Sequence, residues 1–485
     1  MKKTRTRFAP SPTGYMHIGN LRTALFEYLI AKHEGGDFIL RIEDTDQGRL
    51  VEGAVDIIYD TLKEVGLTHD EGPDIGGDFG PYVQSERLGM YKAYADQLVD
   101  LGGAHYCFCG EEEVERQRKE AESMGISFKY DDPCKHISIE EARARIAAGE
   151  SYVVRQTIKQ TGETYFDDEV YGRIEVDNKT LDESVLLKSD GFPTYNFANI
   201  VDDHQMGITH VVRGNEYLSS TPKYNLVYQS FGWDIPTYVH CPPVMKDEHH
   251  KLSKRNGDAS FQDLVKKGYL PQAILNYIAL LGWSPETEQE IYTLEELIKA
   301  FDMKRISKSP AIFDIDKLTW MNGVYLREMD LDTFYGYAKP YIEESVKSNV
   351  DLKAVAKILQ PRTDVLTSIP EAVDFIDALP EYDIAMYVHK KMKTNYEVAL
   401  TALKACKEAL SALEDWSSET VLHDLLLSLP KEMGMKNGQI LWPIRTAITG
   451  KQFTPGGAIE IAHILGKEET LKRIEKGIEK LENEQ

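Results

Sequence analysis

Residues 7–20, RFAPSPTGYMHIGN, join a predicted strand to a predicted helix and decide the fold of the first half of the chain. The residues TRTRFA are typical of a strand, and PSPTG is a loop punctuated by proline and glycine. Apolar residues then recur at helical spacing from 18 to 33, and two glycines end the helix. DFILRIEDTD, which follows, alternates like a second strand. This order predicts the opening of a doubly wound, Rossmann-type domain that binds a nucleotide.

The bulk composition describes a globular protein of several domains. A chain of 485 residues is too long for one hydrophobic core, so we expect roughly three to five domains or lobes. The net charge of −23, from 56 basic and 79 acidic residues, argues against indiscriminate DNA binding but is compatible with a local basic groove. No targeting segment or membrane span is evident, and five cysteines do not make a disulfide framework. We therefore expect a cytoplasmic protein.

The pattern of predicted elements changes along the chain. Ser85 is predicted to cap a helix that leads into an α+β insertion, which contains the charged helix EEEVERQRKEAESMG and strand-like stretches such as SYVVRQTI. Strand–loop–helix character returns at FPTYNFANIVDD. After about residue 258 helical periodicity dominates. The sequence therefore predicts an α/β part followed by a helical part.

Two stretches that lie far apart in the sequence carry residues suited to phosphate chemistry. His17 lies at a predicted helix N-terminus, where free N–H groups and the helix dipole favour phosphate and the ring can donate to a phosphoryl oxygen. KLSKRNG, at 251–257, places three cations in one loop, which suits a triphosphate that is attacked at its α-phosphorus. Alone, such a histidine is more often structural and such a loop is more often a solvated face.

Together these stretches resemble the HIGH and KMSKS signatures of class I aminoacyl-tRNA synthetases. RFAPSPTGYMHIGN, RIEDTD, TYNFANIVDD and VVRGNEYLSSTPKY are similar to stretches of bacterial glutamyl-tRNA synthetases, as are KNGQILWPIRTAITG and TPGGAIEIAHILGKEETLKRI near the end of the chain. Asn20 replaces the last histidine of the first signature, a departure that this family usually shows. Leu252 and Arg255 replace Met and Ser in the second signature, and Lys254 is retained.

The resemblance implies a multidomain fold, α/β plus all-α. A Rossmann-type catalytic domain would comprise residues 1–86 and 194–250. An inserted α+β domain at 87–193 would bind the acceptor end of tRNA and carry a zinc site. The helical half would divide into a stem-contact domain with the KLSKR loop at 251–325 and all-α anticodon-binding domains at 326–385 and 386–485.

The resemblance also implies glutamate as the substrate, and the charges of the residues agree with it. Glu43, at the end of a predicted inner strand, can pair with the ammonium group. Arg7 and Arg213 can bind carboxylates through their planar guanidinium groups, and in the family the match to Arg213 contacts the side-chain carboxylate. Glutamine would leave that arginine unpaired, at a cost of about 1.5–3 kcal/mol. The other glutamate-binding candidates are Ser11, Tyr195 and Asn199.

The resemblance further implies an ATP site and a reaction. The positions that match the ATP contacts of the family are Ser11, His17, Gly19, Glu216, Lys251 and Lys254. His17 and Lys254 are the catalytic candidates, and Mg²⁺ is expected to accompany ATP. Glutamate would attack the α-phosphate to give glutamyl-adenylate, which then transfers its glutamyl group to the terminal adenosine of tRNA-Glu. In this family activation usually waits for tRNA to bind.

Three of the five cysteines lie close together in the sequence, with a histidine at ligand spacing: Cys107, Cys109, Cys134 and His136. Four N/S ligands in two tight pairs suit a structural, tetrahedral Zn²⁺ site. Some bacterial glutamyl-tRNA synthetases carry this arrangement and others lack it. The alternative is that the three cysteines are ordinary buried thiols.

Other functions remain to be weighed against glutamylation. Glutaminyl-tRNA synthetases share the first half but carry β-barrel anticodon domains, whereas this second half is predicted to be helical. Relatives that glutamylate a modified anticodon base lack the helical lobes. A catalytically inactive tRNA-binding paralogue is disfavoured because His17, Lys254, Glu43 and both arginines are present. The expected partners are tRNA-Glu and L-glutamate, with no DNA and no membrane, and the expected state is a monomer.

Overall fold

The protein is described by a computed structural model that covers residues 2–126, 128–252 and 260–483. Its chain divides into two compact units. The first comprises Met1–Leu264 and Ile274–Asp314, and the second comprises Val265–Ala273 and Ile315–Gln485. The predicted change from an α/β part to a helical part is confirmed. The finer domain boundaries stay predictions.

The first unit alternates strands and helices along much of its length. Its strands among the described residues are β1 (Arg5–Phe8), β2 (Asp37–Leu40), β3 (Ala104–Cys107), β4 (Val153–Gln156), β5 (Glu163–Asp168), β6 (Gly172–Asp177), β7 (Val185–Leu187), β8 (His210–Gly214), β9 (Thr237–Cys241), β10 (Val244–Met245) and β11 (Ala311–Ile312). Its helices are α1 (Ile18–His33), α2 (Ala54–Glu64), α3 (Leu88–Asp100), α4 (Glu111–Ser123), α5 (Ile139–Ala147), α6 (Tyr195–Gln205) and α7 (Thr221–Phe231). The chain passes between the units within α8 (Phe261–Lys266) and α9 (Pro271–Ala279), and α10 (Leu294–Ala300) follows in the first unit.

The opening of the chain forms the predicted strand–helix–strand arrangement. The predicted helix over 18–33 is confirmed as α1, and β1 pairs in parallel with β2, with Phe8 opposite Leu40. The return from α1 to β2 depends on glycine, since a Cβ on Gly36 would lie 2.1 Å from the carbonyl oxygen of Thr4. This close approach explains why position 36 is a glycine.

A second pair of parallel strands lies beside β1. β8 and β9 pair with Arg213 opposite His240. The N–H of Thr209, just before β8, donates to the carbonyl oxygen of Arg5 in β1. Further along both strands, the Arg7 side chain donates to the carbonyl oxygen of Val212, so β1 and β8 run in the same direction. The carboxyl ends of these strands therefore meet at one edge, where ligands bind in folds of this class.

The predicted α+β insertion lies between these strand pairs in sequence. β3, β4 and β7 form an antiparallel sheet, and β5 and β6 form an antiparallel hairpin joined to β9 through the pair Asp168 and Tyr238. The predicted charged helix is α4. The predicted cap at Ser85 is wrong, because this residue lies within a 3-10 helix before α3 and its hydroxyl donates to Asp44.

The second unit is helical within its described residues. Its helices are α11 (Ile315–Glu328), α12 (Leu331–Ser345), α13 (Leu352–Leu359), α14 (Ile369–Val373), α15 (Tyr396–Ala412), α16 (Glu419–Met433), α17 (Asn437–Thr449) and α18 (Ala458–Asn483). α18 is interrupted at Gly466, where φ is 75°. Arg473 of α18 is buried and donates to the carbonyl oxygens of Phe375, Ile376 and Ile448, which ties the last helix to the core of this unit.

Candidate active site

A cleft of about 770 Å³ opens at the carboxyl ends of β1, β2 and β8. The predicted site residues that line it are Arg7, Ser11, Glu43, Tyr195, Arg213 and Glu216. Further lining residues include Asn20, Glu27, Arg49, Gln84, Lys188 and Tyr217. The cleft is thus built mainly by residues in or just after these parallel strands, together with residues of α1 and the first turn of α6.

Arg7 is buried in β1 and already has two carboxylate partners. Its Nε donates to Asp203 Oδ1 at 2.9 Å, and its Nη1 donates to Glu27 Oε1 at 3.1 Å. Burial alone would lower the pKa of Arg7, but Asp203 and Glu27 raise it above the ordinary value. The guanidinium therefore stays charged and is held in the floor of the cleft by acids of the protein itself.

Glu43 is buried just beyond β2 and belongs to the same network. Its Oε1 accepts from Arg41 Nη2 at 3.1 Å and from Gln84 Nε2 at 3.4 Å. Arg41 also donates to Asp203 at 2.8 Å, so the network runs from Glu43 to Arg7. Burial raises the pKa of Glu43, whereas Arg41 and Arg7 act in the opposite direction. A ligand ammonium group beside Glu43 would favour its ionised form further.

Arg213 differs from Arg7, because no carboxylate of the described chain lies within 4 Å of its guanidinium. It is only 6% exposed. Its Nε donates to His240 Nε2 at 3.1 Å, and its Nη2 donates to Thr221 Oγ1 at 2.7 Å. Three aromatic rings have their centroids 4.9 to 5.3 Å from the guanidinium carbon: those of Tyr217, Tyr224 and Tyr238. A buried cation with only neutral neighbours is an energetically incomplete site that an anionic ligand group would complete.

Tyr195 and Asn199 lie one turn apart in α6 but occupy different positions. Tyr195 lines the cleft, with its ring centroid 5.2 Å from that of Tyr217. Asn199 is only 3% exposed, and its Nδ2 donates to the carbonyl oxygen of Tyr195 at 2.5 Å. The structure therefore brings Tyr195 into the cleft and leaves Asn199 behind it. The predicted contact of Asn199 with the substrate stays a prediction.

His17 connects the two stretches that the sequence singled out for phosphate chemistry. Its Nδ1 accepts from the N–H of Gly19 at 3.0 Å, and its Nε2 lies 3.2 Å from the carbonyl oxygen of Leu252, 235 positions away in the sequence. Because Nδ1 accepts, the proton lies on Nε2, which donates to Leu252. Ser260 also forms a β-bridge with His17. The HIGN stretch therefore contacts Leu252, just before residues 253–259, and Ser260, just after them.

The other predicted ATP residues occupy several positions. Ser11 and Glu216 line the cleft. Gly19 lies in the first turn of α1, and Lys251 is exposed. Lys254 lies outside the described residues, so its catalytic role stays a prediction.

Three of the predicted zinc ligands form a cluster. The sulfur atoms of Cys107, Cys109 and Cys134 and a carboxylate oxygen of Asp132 all lie within 4.8 Å of one another. The sulfur atoms of Cys109 and Cys134 are 3.6 Å apart, and the N–H of Phe108 donates to the Cys134 sulfur at 3.3 Å. Three thiols and a nearby carboxylate match the donor set of a zinc site.

His136, the fourth predicted ligand, does not join this cluster. It is exposed, at the end of the 3-10 helix Pro133–His136, whereas Cys134 is buried. With three residues per turn, side chains two positions apart point in different directions, so the helix that turns Cys134 inward turns His136 away.

Asp132 supplies the oxygen donor of this cluster, and the Tyr130 hydroxyl lies next to Cys109. Asp132 is buried and accepts from His105 Nε2 at 2.9 Å, and Arg155 Nε lies 3.3 Å from its carboxylate. Burial would raise the pKa of Asp132, but its hydrogen bonds lower it to about 2. The Tyr130 hydroxyl is buried beside Cys109 and has no hydrogen-bond partner of acceptable geometry among the described residues.

Sequence reasoning missed the acids that hold the arginines. Glu27, Asp202 and Asp203 are buried, and so are His240 and Asp168 near Arg213. A signal was present in FANIVDD, where two adjacent aspartates follow an apolar run. Buried charges require partners, so this pair could have been matched to the buried arginines.

Comparison with known proteins decides the family. Residues 3–320 match the model of "tRNA synthetases class I (E and Q), catalytic domain", and residues 333–478 match "Anticodon binding domain". A glutamate–tRNA ligase of Clostridium tetani is 62% identical over 482 residues, which covers 99% of both chains. This chain belongs to the glutamate–tRNA ligase family. Another member, from Clostridium acetobutylicum, is 59% identical over 479 residues, again 99% of both chains.

Solved structures of the family agree with this assignment. The crystal structure of a glutamate tRNA ligase from Elizabethkingia meningosepticum, in complex with its amino acid, matches with a TM-score of 0.89 and 35% identity. The match covers 99% of this chain and 100% of that one. The enzyme from Elizabethkingia anophelis gives the same TM-score at 34% identity.

Family membership confirms the enzyme class and the fold that the sequence resemblance implied. The chain is a class I aminoacyl-tRNA synthetase in which a catalytic domain precedes an anticodon-binding domain. Within the described ranges, no helix has both the length and the apolar character needed to cross a membrane.

Proposed function

We propose that this enzyme attaches glutamate to tRNA-Glu in an ATP-dependent reaction of two steps. The main support for this proposal is Arg213. Its guanidinium is buried and lines the cleft, and no carboxylate of the described residues pairs with it. Arg7 is already paired with Asp203 and Glu27, so a ligand side-chain carboxylate is the partner that Arg213 lacks. Glu43 supplies the opposite charge for an ammonium group. This combination matches a free amino acid with an acidic side chain.

In the first step, an oxygen of the glutamate α-carboxylate attacks the α-phosphorus of ATP. The bond from that phosphorus to the bridging oxygen breaks, and pyrophosphate leaves with the electron pair. The substrate supplies its own nucleophile, so the protein contributes positioning and charge. His17, at the N-terminus of α1, carries a proton on Nε2, whose acceptor would change from the carbonyl oxygen of Leu252 to a phosphoryl oxygen when ATP binds. Mg²⁺ bound with ATP would neutralise phosphate charge.

Cations of the KLSKR loop are proposed to act on the same phosphates. Lys251 is exposed beside Leu252, whose carbonyl oxygen accepts from His17. Lys254 lies three positions after Lys251 in the sequence. Its ammonium group would stabilise the charge of the leaving pyrophosphate. Ser11 and Glu216 in the cleft are the remaining candidates for ATP contacts.

In the second step, a ribose hydroxyl of the terminal adenosine of tRNA attacks the carbonyl carbon of glutamyl-adenylate. The bond from that carbon to the phosphate oxygen breaks, AMP leaves with the electron pair, and the hydroxyl proton passes to the phosphate or to water. Arg213 and Glu43 would hold the glutamyl group through both steps. That fixed orientation is the contribution of the protein to this transfer.

The second unit offers a surface for the anticodon loop of tRNA. Phe453, between α17 and α18, is 82% exposed and lines a cleft of about 480 Å³ together with Arg362 and Lys451. Arg445 lies next to this cleft, with its guanidinium carbon 4.3 Å from the centroid of the Trp442 ring. Exposed aromatic rings stack on unpaired bases, and arginines contact phosphates and bases. We therefore assign the anticodon loop to this surface.

The direct test is glutamate-dependent exchange of pyrophosphate into ATP, with and without tRNA-Glu. Exchange is expected with glutamate and to increase strongly when tRNA is added, because the family usually activates its amino acid on tRNA. Periodate-oxidised tRNA, which lacks an intact terminal ribose, serves as the control and should support no transfer. If glutamate gives no exchange even with tRNA, the proposed function is wrong. If glutamine outcompetes glutamate, the role proposed for Arg213 is wrong.

Two alternative functions are disfavoured by the site. A glutaminyl enzyme would leave the Arg213 cation facing a neutral amide. A non-catalytic tRNA-binding paralogue would not need Glu43 and both buried arginines in one cleft, or His17 beside the KLSKR segment. We expect the enzyme to act as a cytoplasmic monomer that binds neither DNA nor membranes.

We also propose a structural zinc ion at the cysteine cluster. Cys107, Cys109 and Cys134 would bind it, with the fourth donor from Asp132. Cys107 ends β3 and Cys134 lies in a separate 3-10 helix, so the ion would join two segments of the insertion. The ion takes part in neither step of the reaction.

Substitution of Cys134 is expected to remove this zinc, whereas substitution of His136 is not. We expect about one zinc ion per chain in the wild type, since a closed site of this kind binds tightly. Cys134→Ala should lose most of it, and His136→Ala should retain it because that ring lies outside the cluster. Emission spectrometry after dialysis measures the content. Loss of zinc in His136→Ala would show that His136 rather than Asp132 is the fourth ligand, and a zinc-free, folded wild type would reject the site.

A further inference from the structure

His240 lies behind Arg213 as its neighbour on the next strand. The two residues are directly opposite in the parallel pair β8–β9, and the His240 side chain is fully buried. Its Nε2 accepts from Arg213 Nε at 3.1 Å. Its Nδ1 lies 2.6 Å from Asp168 Oδ2, and the Asp168 side chain is fully buried as well. Asp168, His240 and Arg213 therefore form one hydrogen-bonded chain that ends in the cleft.

The protonation state of His240 follows from this geometry. An arginine Nε–H can only donate, so the facing Nε2 of His240 must carry no proton. The ring proton must then lie on Nδ1 and be donated to Asp168. A protonated ring would place a second N–H donor and a second positive charge against the guanidinium. Burial lowers the pKa of His240, which agrees with a neutral ring.

Asp168 is arranged to select this tautomer. Its Oδ1 accepts from the backbone N–H groups of Val170 and Tyr171 at 3.0 and 2.8 Å. Its Oδ2 accepts from the backbone N–H of His240 at 3.1 Å as well as from the ring. Three of these contacts are backbone N–H donors, so the carboxylate is held as an acceptor and favours the tautomer in which His240 carries its proton on Nδ1.

Two hydrogen bonds hold the guanidinium plane of Arg213. One goes to His240 and the other, from Nη2, goes to Thr221 Oγ1 at 2.7 Å. Because two of its nitrogens are held, the guanidinium cannot rotate out of its plane. The edge formed by Nη1 and the second N–H of Nη2 is left for a ligand. Bidentate binding of a carboxylate needs this fixed plane. Neither holding group is charged, so the positive charge of Arg213 is left for the ligand.

We propose that His240 is a positioning residue for substrate selection, which holds the Arg213 guanidinium through its neutral Nδ1–H tautomer in the plane that binds a side-chain carboxylate. The inference rests on the proposed function, because it takes the ligand of Arg213 to be the γ-carboxylate of glutamate. It assigns to Asp168 the role of fixing the tautomer. It also explains why His240 and Asp168 are buried outside the cleft, with His240 hydrogen-bonded to Arg213 and Asp168 hydrogen-bonded to His240.

Two variants of His240 separate positioning from simple packing. His240→Gln places an amide oxygen near the Nε2 position and can still accept from Arg213. His240→Asn places its amide near the Nδ1 position and can still reach Asp168, but it has no atom facing Arg213. We expect His240→Asn to raise KM for glutamate by about tenfold to a hundredfold, with KM for ATP unchanged, since a hydrogen bond to a charged group is lost. His240→Gln should stay within about threefold of the wild type.

The assay is pyrophosphate exchange in the presence of tRNA-Glu, with thermal unfolding of each variant measured alongside. Equal KM values for glutamate in the two variants would overturn the proposal, because a merely structural role would not distinguish which end of the imidazole is replaced. Absence of glutamate-dependent exchange in the wild type would instead overturn the proposed function. A failure of the His240 proposal and a failure of the proposed function therefore give different results in this assay.

A second measurement does not depend on activity. Selective ¹⁵N labelling of histidine should show a neutral ring with its proton on Nδ1 in the wild type, with a signal that is missing in His240→Gln. A His240 signal typical of the Nε2–H tautomer, or of a protonated ring at neutral pH, would overturn the proposal even if His240→Asn fails to fold.

Discussion

Arg213→Gln is expected to lower kcat/KM for glutamate by about a hundredfold or more, because it removes a buried, bidentate partner of a carboxylate. The same change should weaken the preference of the enzyme for glutamate over glutamine, since the neutral side chain no longer requires a negative charge. The loss should appear mainly in KM for glutamate if Arg213 binds the side chain equally in the ground state and the transition state. Initial rates of pyrophosphate exchange with both amino acids measure it.

The stability of Arg213→Gln should not fall with its activity. Arg213 is a buried cation that has neutral partners within the described structure, so its removal relieves a desolvation cost. We expect an unchanged or higher melting temperature, measured by calorimetry. Arg173→Gln is the matched control, because this exposed arginine pairs with Glu175 and lies 3.9 Å from the centroid of the Tyr165 ring. Equal losses of glutamate activity in both variants, or a lower melting temperature in Arg213→Gln, would contradict the role proposed for this arginine.

The opening of the fold and the main site residues could be predicted because local rules decide them. The spacing of apolar residues and the following glycines determine α1, and the structure begins and ends that helix at the predicted residues. Arg7, Glu43 and Arg213 come together because each lies in or just after a parallel strand, whose carboxyl ends share an edge. The positions of charged residues in or just after predicted strands can be read from the sequence itself.

The supporting contacts could not be predicted, because they join distant parts of the chain. Asp203, which holds Arg7, is 196 positions away from it, and no local periodicity records that pairing. The spacing of Cys134 and His136 repeats that of Cys107 and Cys109, yet a 3-10 helix directs His136 to the surface. Secondary structure at a few residues therefore decided which predicted ligand reached the cluster.

Asp203→Ala is expected to cause a large loss of stability, because this buried carboxylate holds two arginines beneath the cleft. One oxygen of Asp203 accepts from both Arg7 Nε, at 2.9 Å, and Arg41 Nη1, at 2.8 Å. Burial would raise the pKa of Asp203, but these two arginines hold it below its ordinary value, so the carboxylate is ionised at neutral pH. Removing it leaves two buried cations short of one negative charge. The free energy of unfolding of the first unit should fall by about 3–5 kcal/mol.

An exposed ion pair in the same unit is the control for this effect. Asp234 pairs with Lys2 at 2.6 Å, a shorter separation than either contact of Asp203, but both side chains are mostly exposed. Asp234→Ala should leave the unfolding transition unchanged, because water screens this pair. Urea unfolding followed by tryptophan fluorescence compares the two variants. If both substitutions lower stability equally, distance rather than burial would set the cost of losing a carboxylate. If neither does, Glu27, Glu43 and Asp202 would suffice for the two arginines, and Asp203 would not be the residue that fixes Arg7 in the cleft.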